Sequence, residues 1–305
     1  MKEKIRDTLL KAGASAVGFA SAGEVDDEVK NSFDAWISEG NNGEMIYLER
    51  HVSLRRHTDS VLPEASTVIS MAFSYVPEKW FSPDKPYIAA YAYGEDYHVV
   101  LRDILKPVVT LLQNEYGGKW RICIDSAPLE ERYWAMKSGI GKKGLNGALI
   151  AKDCGSLCFL VEILTTVRIK PDKPSTEDCG KCGLCISACP NKALKGDGTL
   201  IANKCINYLT IEKQSDFSEE ERTLMKSGPG YLYGCDRCLR VCPHNKNLAP
   251  SCIPGFRLLP EIKELTPEKI LSLDESSFKK TYRRSPLSYA GFSRLLRNAR
   301  NLTPE

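Results

Sequence analysis

Twelve of the 305 residues are cysteine, and eight of them stand where metal chemistry would need them. Cys179, Cys182, Cys185 and Cys189 follow a C-x2-C-x2-C-x3-C spacing and are closed by Pro190. Cys235, Cys238 and Cys242 form a shortened second copy, closed by Pro243. Three closely spaced thiolates wrap three corners of an iron–sulfur cubane, while a fourth, carried off by a helical turn, reaches the neighbouring cluster. Proline after that cysteine turns the chain without needing an N–H donor. The exchange assigns Cys179, Cys182, Cys185 and Cys242 to one [4Fe–4S] cluster, and Cys189, Cys235 and Cys238 to another. The second set is one thiolate short, and Cys205, in the loop between the copies, is the candidate to complete it. Zinc is the competing occupant, since four-cysteine zinc sites also use C-x2-C pairs, but zinc does not require two interleaved copies each ending in Cys-Pro. Of the four cysteines that remain, Cys123 and Cys158 read as small hydrophobes inside strands. Cys154 and Cys158 have a spacing unsuited to a further site, and Cys252 stands alone.

The opening Met1-Lys2-Glu3-Lys4-Ile5-Arg6 carries both signs of charge, and no apolar export segment follows it. The longest apolar run, Leu157 to Val167, is interrupted by Glu162 and is too short for a bilayer. A cytoplasmic protein with no membrane partner is expected, and a reducing compartment favours cysteines as metal ligands over disulfides. The formal charge is +3. Two oxidised clusters, each about −2 with its thiolates, bring the loaded protein near neutrality, so contact with a nucleic acid would need a local basic patch.

The elements that must position these cysteines can be read from periodicity. A helix is predicted over residues 2–12, a strand over 16–20, a helix over 24–38 and a buried strand over 67–75. A long 3.6-period pattern over 96–114 predicts a helix bent at Pro107 and ended by Gly117-Gly118. A strand at 121–124, a helix after Pro128 and strands at 148–151 and 158–166 complete the series. The class is α+β. Residues 1–170 are expected to form an α/β domain, 171–250 a bacterial ferredoxin-like double-cluster domain, and 251–305 a short basic helical tail.

Clusters alone imply electron transfer, and the rest of the chain narrows the reading. Asp125-Ser126-Ala127-Pro128-Leu129-Glu130-Glu131-Arg132, with Gly139-Ile140-Gly141 and Asn146, resembles the core motif of the epoxyqueuosine reductases. Lys204-Cys205-Ile206-Asn207-Tyr208-Leu209-Thr210, Gly234-Cys235-Asp236, Val241-Cys242-Pro243 with Asn245, and Tyr93-Gly94 with Asp96-Tyr97-His98 resemble further parts of that family. So does the tail Arg284-Ser285-Pro286-Leu287 with Phe292, Arg294, Arg297 and Asn298. The resemblance runs in order along nearly the whole chain. Two positions depart from it. Leu145 stands where the family usually has lysine, and His244 where it has tryptophan. Neither is expected to touch a cluster ligand.

The resemblance implies a cobalamin-dependent enzyme with two [4Fe–4S] clusters that deoxygenates epoxyqueuosine in the anticodon loop of tRNA. It also implies that residues 1–170 are the cobalamin and substrate domain. Ending at Glu305, the chain is expected to be a short form without C-terminal helical repeats, a monomer served by an external low-potential electron donor. Asp125 matches the family's proposed proton donor, which requires a sheltered setting that raises its pKa. Its alternative reading is the N-cap of the following helix. Arg55 matches an arginine of the corrin pocket, with a surface ion pair as the alternative. Asn207, Cys235 and Asp236 match positions between corrin and nearer cluster. Leu101 replaces the glycine of the Asp-x-His-x-x-Gly ligand motif, so His98 is not read as an axial ligand and the cobalamin is expected base-off. From Lys279 to Arg300 the tail holds seven Lys/Arg, no acidic residue and interleaved tyrosines, a composition that favours RNA contact over packing on the cluster domain. The rival readings are a plain electron carrier, a reductive dehalogenase, whose export signal and membrane partner are missing here, and a cobalamin-processing protein, which would not need two clusters.

Overall fold

The structure is a computed structural model that describes residues 1–81, 87–226 and 230–303. Its eight strands are β1 (Ala16–Ser21), β2 (Thr67–Ser74), β3 (Tyr87–Ile88), β4 (Trp120–Cys123), β5 (Gly141–Lys143), β6 (Leu149–Ala151), β7 (Cys158–Thr165) and β8 (Tyr231–Tyr233). The main sheet runs β1-β2-β7-β4 with every neighbour antiparallel. Alternating helices and strands therefore do not build parallel crossover units here, and the α+β class holds.

The predicted helices and strands of the first 170 residues fall within a few residues of those observed. Strand alternation divides the core. Ile69, Met71, Phe73, Val161 and Ile163 face the helices Lys2–Lys11 and Tyr97–Tyr116. Val68, Ala72 and Leu164 turn the other way, toward Tyr133, Trp134 and Ala135 of the helix Glu131–Lys137. That helix comes close enough that a Cβ on Gly18 would lie 2.1 Å from the Ser138 carbonyl oxygen. The helix Tyr97–Tyr116 continues past Pro107 and ends at Gly117.

In the thiol-bearing segment the short helix Leu184–Ala188 carries Cys185 and the short helix Arg237–Arg240 carries Cys238. It is joined to the first half by the parallel pairing of β3 with β8, extended by Ala89 N–H donating to the Tyr233 carbonyl. Tail residues Ile262, Ile270, Phe278, Tyr282, Leu287 and Leu295 are buried in the same hydrophobic core as Ile5 and Leu101. The last helix, Leu287–Leu302, is broken at Gly291, whose φ is +75°. Among the described residues no helix is long and apolar enough to cross a membrane.

Candidate active site and cluster-binding thiols

Eight thiols sort into two groups of four. Cys179, Cys182, Cys185 and Cys242 line one cavity of about 320 Å³, together with Leu145, Asn146, Pro243 and His244. Burial pushes the Cys185 and Cys242 thiols up, and charge on neighbours within this quartet raises them further. The remaining four form a deeper group. Burial raises Cys205, Cys235 and Cys238, the last to about 12. Cys205 is also raised by Cys189, Cys235 by Cys205 and Cys238, and Cys238 by Cys205 and Cys189. Cys242 thus lies with the first run and Cys189 with the second, the crossed arrangement read from the spacing, and Cys205 stands beside the three thiols that lacked a fourth. Among the described residues no three His, Cys, Asp or Glu side chains close on a single ion. A cubane instead takes its thiolates at separate corners.

The two departures from the family pattern lie at the first quartet, against expectation. His244 Nε2 is 3.0 Å from the Cys179 carbonyl oxygen, and Leu145 lines the cavity. The adjacent Asn245 fixes the same loop, its amide donating to Ser156 Oγ and the Leu239 carbonyl while its oxygen accepts from Ser156 N–H. Asn146 lines the first cavity and its side chain also faces the Cys238 thiol, lowering it, a placement that its motif did not disclose.

Asp125 follows β4 in a tight turn. Its φ is +56°, and Ser126 N–H donates to the Ile124 carbonyl across it at 2.5 Å. The N-cap reading fails, because the helix starts at Glu131 with Glu130 at its cap position. Tyr97 Oη donates to Asp125 Oδ2 at 2.7 Å, and His98 Nε2 lies 3.4 Å from the same oxygen. His98 Nδ1 is 2.9 Å from Asp96 Oδ1, whose carboxylate also accepts from His98 N–H. The expected setting of Asp125 is overturned here. Its side chain is 60% exposed, and the hydrogen bond to His98, with that from Tyr97, outweighs partial desolvation and holds the carboxyl below its ordinary range. Burial alone would lower His98, but Asp125 and Asp96 raise it to about 9. At neutral pH the proton of this pair therefore resides on the imidazole. No spacing rule pointed to Tyr97 and His98 as partners of Asp125, because they arrive from the far end of a different helix.

Arg55 Nη1 donates to the Leu129 carbonyl at 3.0 Å and is 3.7 Å from Glu130 Oε1. Its side chain is only 16% exposed, so the surface ion-pair reading does not hold. Arg55 Nε and Glu130 Oε1 are both buried without a hydrogen-bond partner among the described residues. They line an opening of about 220 Å³ walled by Val25, Val29, Phe33 and Val52. Asp236 is 2% exposed and accepts from Ala90 N–H, and burial raises its pKa to about 6. Asn207 lies beside Gly234, one residue before Cys235.

The tail is less available to RNA than its composition implies. Arg294 and Arg297 point inward to carbonyls of residues 209–215. Arg284 pairs with Glu95 and Lys279 with Glu275. Among the described residues Lys280, Arg283 and Arg300 are exposed and form no side-chain bond.

Two crossed thiol quartets against an antiparallel-sheet domain, with a carboxylate–imidazole pair at a strand end, define an iron–sulfur oxidoreductase of two fused modules. Residues 178–245 match the family model described as a 4Fe-4S double cluster binding domain, and residues 55–126 the one described as Epoxyqueuosine reductase QueG, DUF1730. The epoxyqueuosine reductase of Cyclobacterium marinum is 33% identical over 304 residues, 97% of this chain and 96% of its own length. That of Escherichia coli is 33% identical over 98% of this chain and 79% of its own. A crystal structure of an epoxyqueuosine reductase with an epoxyqueuosine-modified tRNA-Tyr stem loop superposes with a TM-score of 0.87 at 28% identity, over 99% of this chain and 80% of that one. The Bacillus subtilis enzyme, with its catalytic aspartate loop swung out of the active site, matches at the same score and identity. The chain belongs to the epoxyqueuosine reductase family.

Proposed function

We propose that this protein reduces epoxyqueuosine to queuosine in tRNA, with two [4Fe–4S] clusters and a base-off cobalamin as its cofactors. The observation that carries the reading is the sorting of eight thiols into two crossed quartets within a chain akin to these reductases along its whole length. Cys179, Cys182, Cys185 and Cys242 hold one cluster, and Cys189, Cys205, Cys235 and Cys238 the other. The orphaned atoms at Arg55 and Glu130 fit the corrin periphery. A primary amide arm offers an oxygen to Arg55 Nε and an N–H to Glu130 Oε1, and each removes a buried unsatisfied group. Asn207, beside Gly234, and Asp236, next in sequence to Cys235, are the further residues assigned to the corrin.

Deoxygenating an epoxide takes two electrons and two protons and releases water. When bound, the corrin and clusters supply the electrons, which no side chain can. The chain delivers one of the two protons, and the other comes from solvent. His98 holds the first on Nε2 at neutral pH, charged by Asp96 behind and Asp125 in front. Asp125, whose side chain is exposed, takes that proton and delivers it to the departing oxygen, while Tyr97 Oη fixes the carboxylate's direction. The electrons enter from an external low-potential donor, and the enzyme works as a monomer in the cytoplasm.

The test is an anaerobic assay on tRNA bearing the epoxide, read by nucleoside mass spectrometry with and without cobalamin. Conversion only with cobalamin is the expected result; conversion without it, or none with all cofactors loaded, would refute the reading. Asp125→Asn should abolish turnover while iron content and corrin absorption stay unchanged.

A further inference from the structure

The Asp125 turn is strained and its side chain is largely exposed, so something must hold it. A non-glycine residue at φ +56° occupies a sparsely populated conformation that persists only where its surroundings over-determine it. Among the described residues one side chain from outside the turn bonds its backbone: Glu131 Oε1 accepts from Asp125 N–H at 2.8 Å. We propose that Glu131 is the positioning residue of the Asp125 turn, an acceptor that clamps the Asp125 amide and so aims the carboxylate at Tyr97 and His98. The proposal rests on the reading of Asp125 as the group that delivers the proton.

The surroundings of Glu131 support a neutral clamp. Burial, and then the charge of Asp125, raise its pKa to about 8 against the usual 4.5. Arg132 beside it, Arg55 from the helix Val52–Arg55 and Tyr97 also face it. Below it on β7 lies Glu162, 0% exposed and with neither carboxyl oxygen completing a hydrogen bond among the described residues. Register sets Glu162 opposite Ser70 of β2 and Cys123 of β4, on the sheet face that the helix Glu131–Lys137 covers. Burial and the charge of Glu131 push Glu162 far above the ordinary glutamate value. Two carboxyls over one dry floor cannot both ionise, so at neutral pH the clamp adds no second negative charge beside Asp125. As pH rises through about 8, Glu131 ionises and repels the carboxylate that it positions.

The experiment compares Glu131→Ala, Glu131→Gln and Asp125→Asn in the cluster- and cobalamin-loaded enzyme, using the epoxide-bearing stem loop as substrate. Loss of the acceptor in Glu131→Ala should speed exchange of the Asp125 amide by about tenfold. It should also lower kcat about 10- to 100-fold with KM unchanged. Glu131→Gln, which keeps the acceptor, should restore both, and should move the alkaline fall in kcat to higher pH, because the amide does not ionise. Wild-type exchange and kcat in Glu131→Ala overturn the clamp, as does a Glu131→Gln enzyme as impaired as Glu131→Ala. An active Asp125→Asn enzyme instead overturns the role of Asp125, whatever the clamp does.

Discussion

Replacing Arg297 by methionine separates two roles that its position in the basic tail leaves open. Its Nη1 donates to the carbonyls of Lys213 and Ser215 at 2.9 and 2.6 Å, and Nη2 to that of Leu209 at 2.8 Å. The guanidinium also lies 4.1 Å from the centroid of the Phe217 ring. Hydrogen bonds from a charged donor contribute about 1.5–3 kcal/mol each, but this group is half-buried and pays desolvation, so the three together are discounted to about 2–3 kcal/mol. The ring contact adds about 0.5–1 kcal/mol. Arg297→Met keeps the apolar stem and should therefore cost about 2.5–4 kcal/mol, a fall in Tm of about 5–16 °C for a chain of this size. The assay is thermal unfolding of the loaded protein by circular dichroism, paired with stem-loop binding at several salt concentrations. A structural Arg297 predicts the fall in Tm with an unchanged salt dependence of binding. A Tm within about 2 °C of wild type, together with a salt slope reduced by about one charge, would refute the reasoning and return Arg297 to the RNA surface.

Other outcomes follow from the geometry. Cys205→Ala should reduce iron from about eight to about four per chain, while Cys123→Ala and Cys252→Ala keep about eight, by iron assay of reconstituted protein. His98 has a folded pKa of about 9, raised above its ordinary 6.5. The stability that it contributes is therefore complete below about 6.5 and lost as pH rises through about 9, so the urea midpoints of wild type and His98→Gln should converge above that pH. Glu44 runs the opposite way. Ser215 and the backbone N–H groups of Gln214 and Ser215 overcome its burial and hold it at about 2. Its stabilisation is present above about 4.5 and lost as pH falls through about 2, so Glu44→Gln should narrow the acid stability difference. Gly18→Ala should cost more than about 3 kcal/mol, or prevent folding, because its Cβ would overlap the Ser138 carbonyl; denaturant titration reads it.

Much of this was legible in the residue order, for physical reasons that differ from element to element. The apolar periodicity at 67–75 and 96–114 is imposed by burial, so it marked β2 and the long helix. The spacing of Cys179 to Cys189 is imposed by a cubane, so it sorted the thiols, including the exchange of Cys189 and Cys242. The environment of Asp125 was not legible, because His98 and Tyr97 meet it only through tertiary packing, and their charge and hydroxyl reverse the sign of its expected shift. Glu162 looked like an interruption in an apolar run, yet it is buried with that run rather than exposed. Seven cations in the tail read as an RNA surface, but composition does not say which way an arginine points, and Arg294 and Arg297 turn toward the carbonyls of residues 209–215.

The short parallel ribbon between Tyr87 and Tyr231 has a bearing on assembly. Its two strands flank nearly half of the chain, with every cluster thiol but Cys235, Cys238 and Cys242 lying between them in sequence. A nascent polypeptide cannot close that ribbon until the intervening thiol loops have compacted, and loop closure across such a span is slow. Iron delivery during synthesis would shorten the effective loop, so maturation of the inorganic centres and docking of the two halves should proceed as one cooperative event.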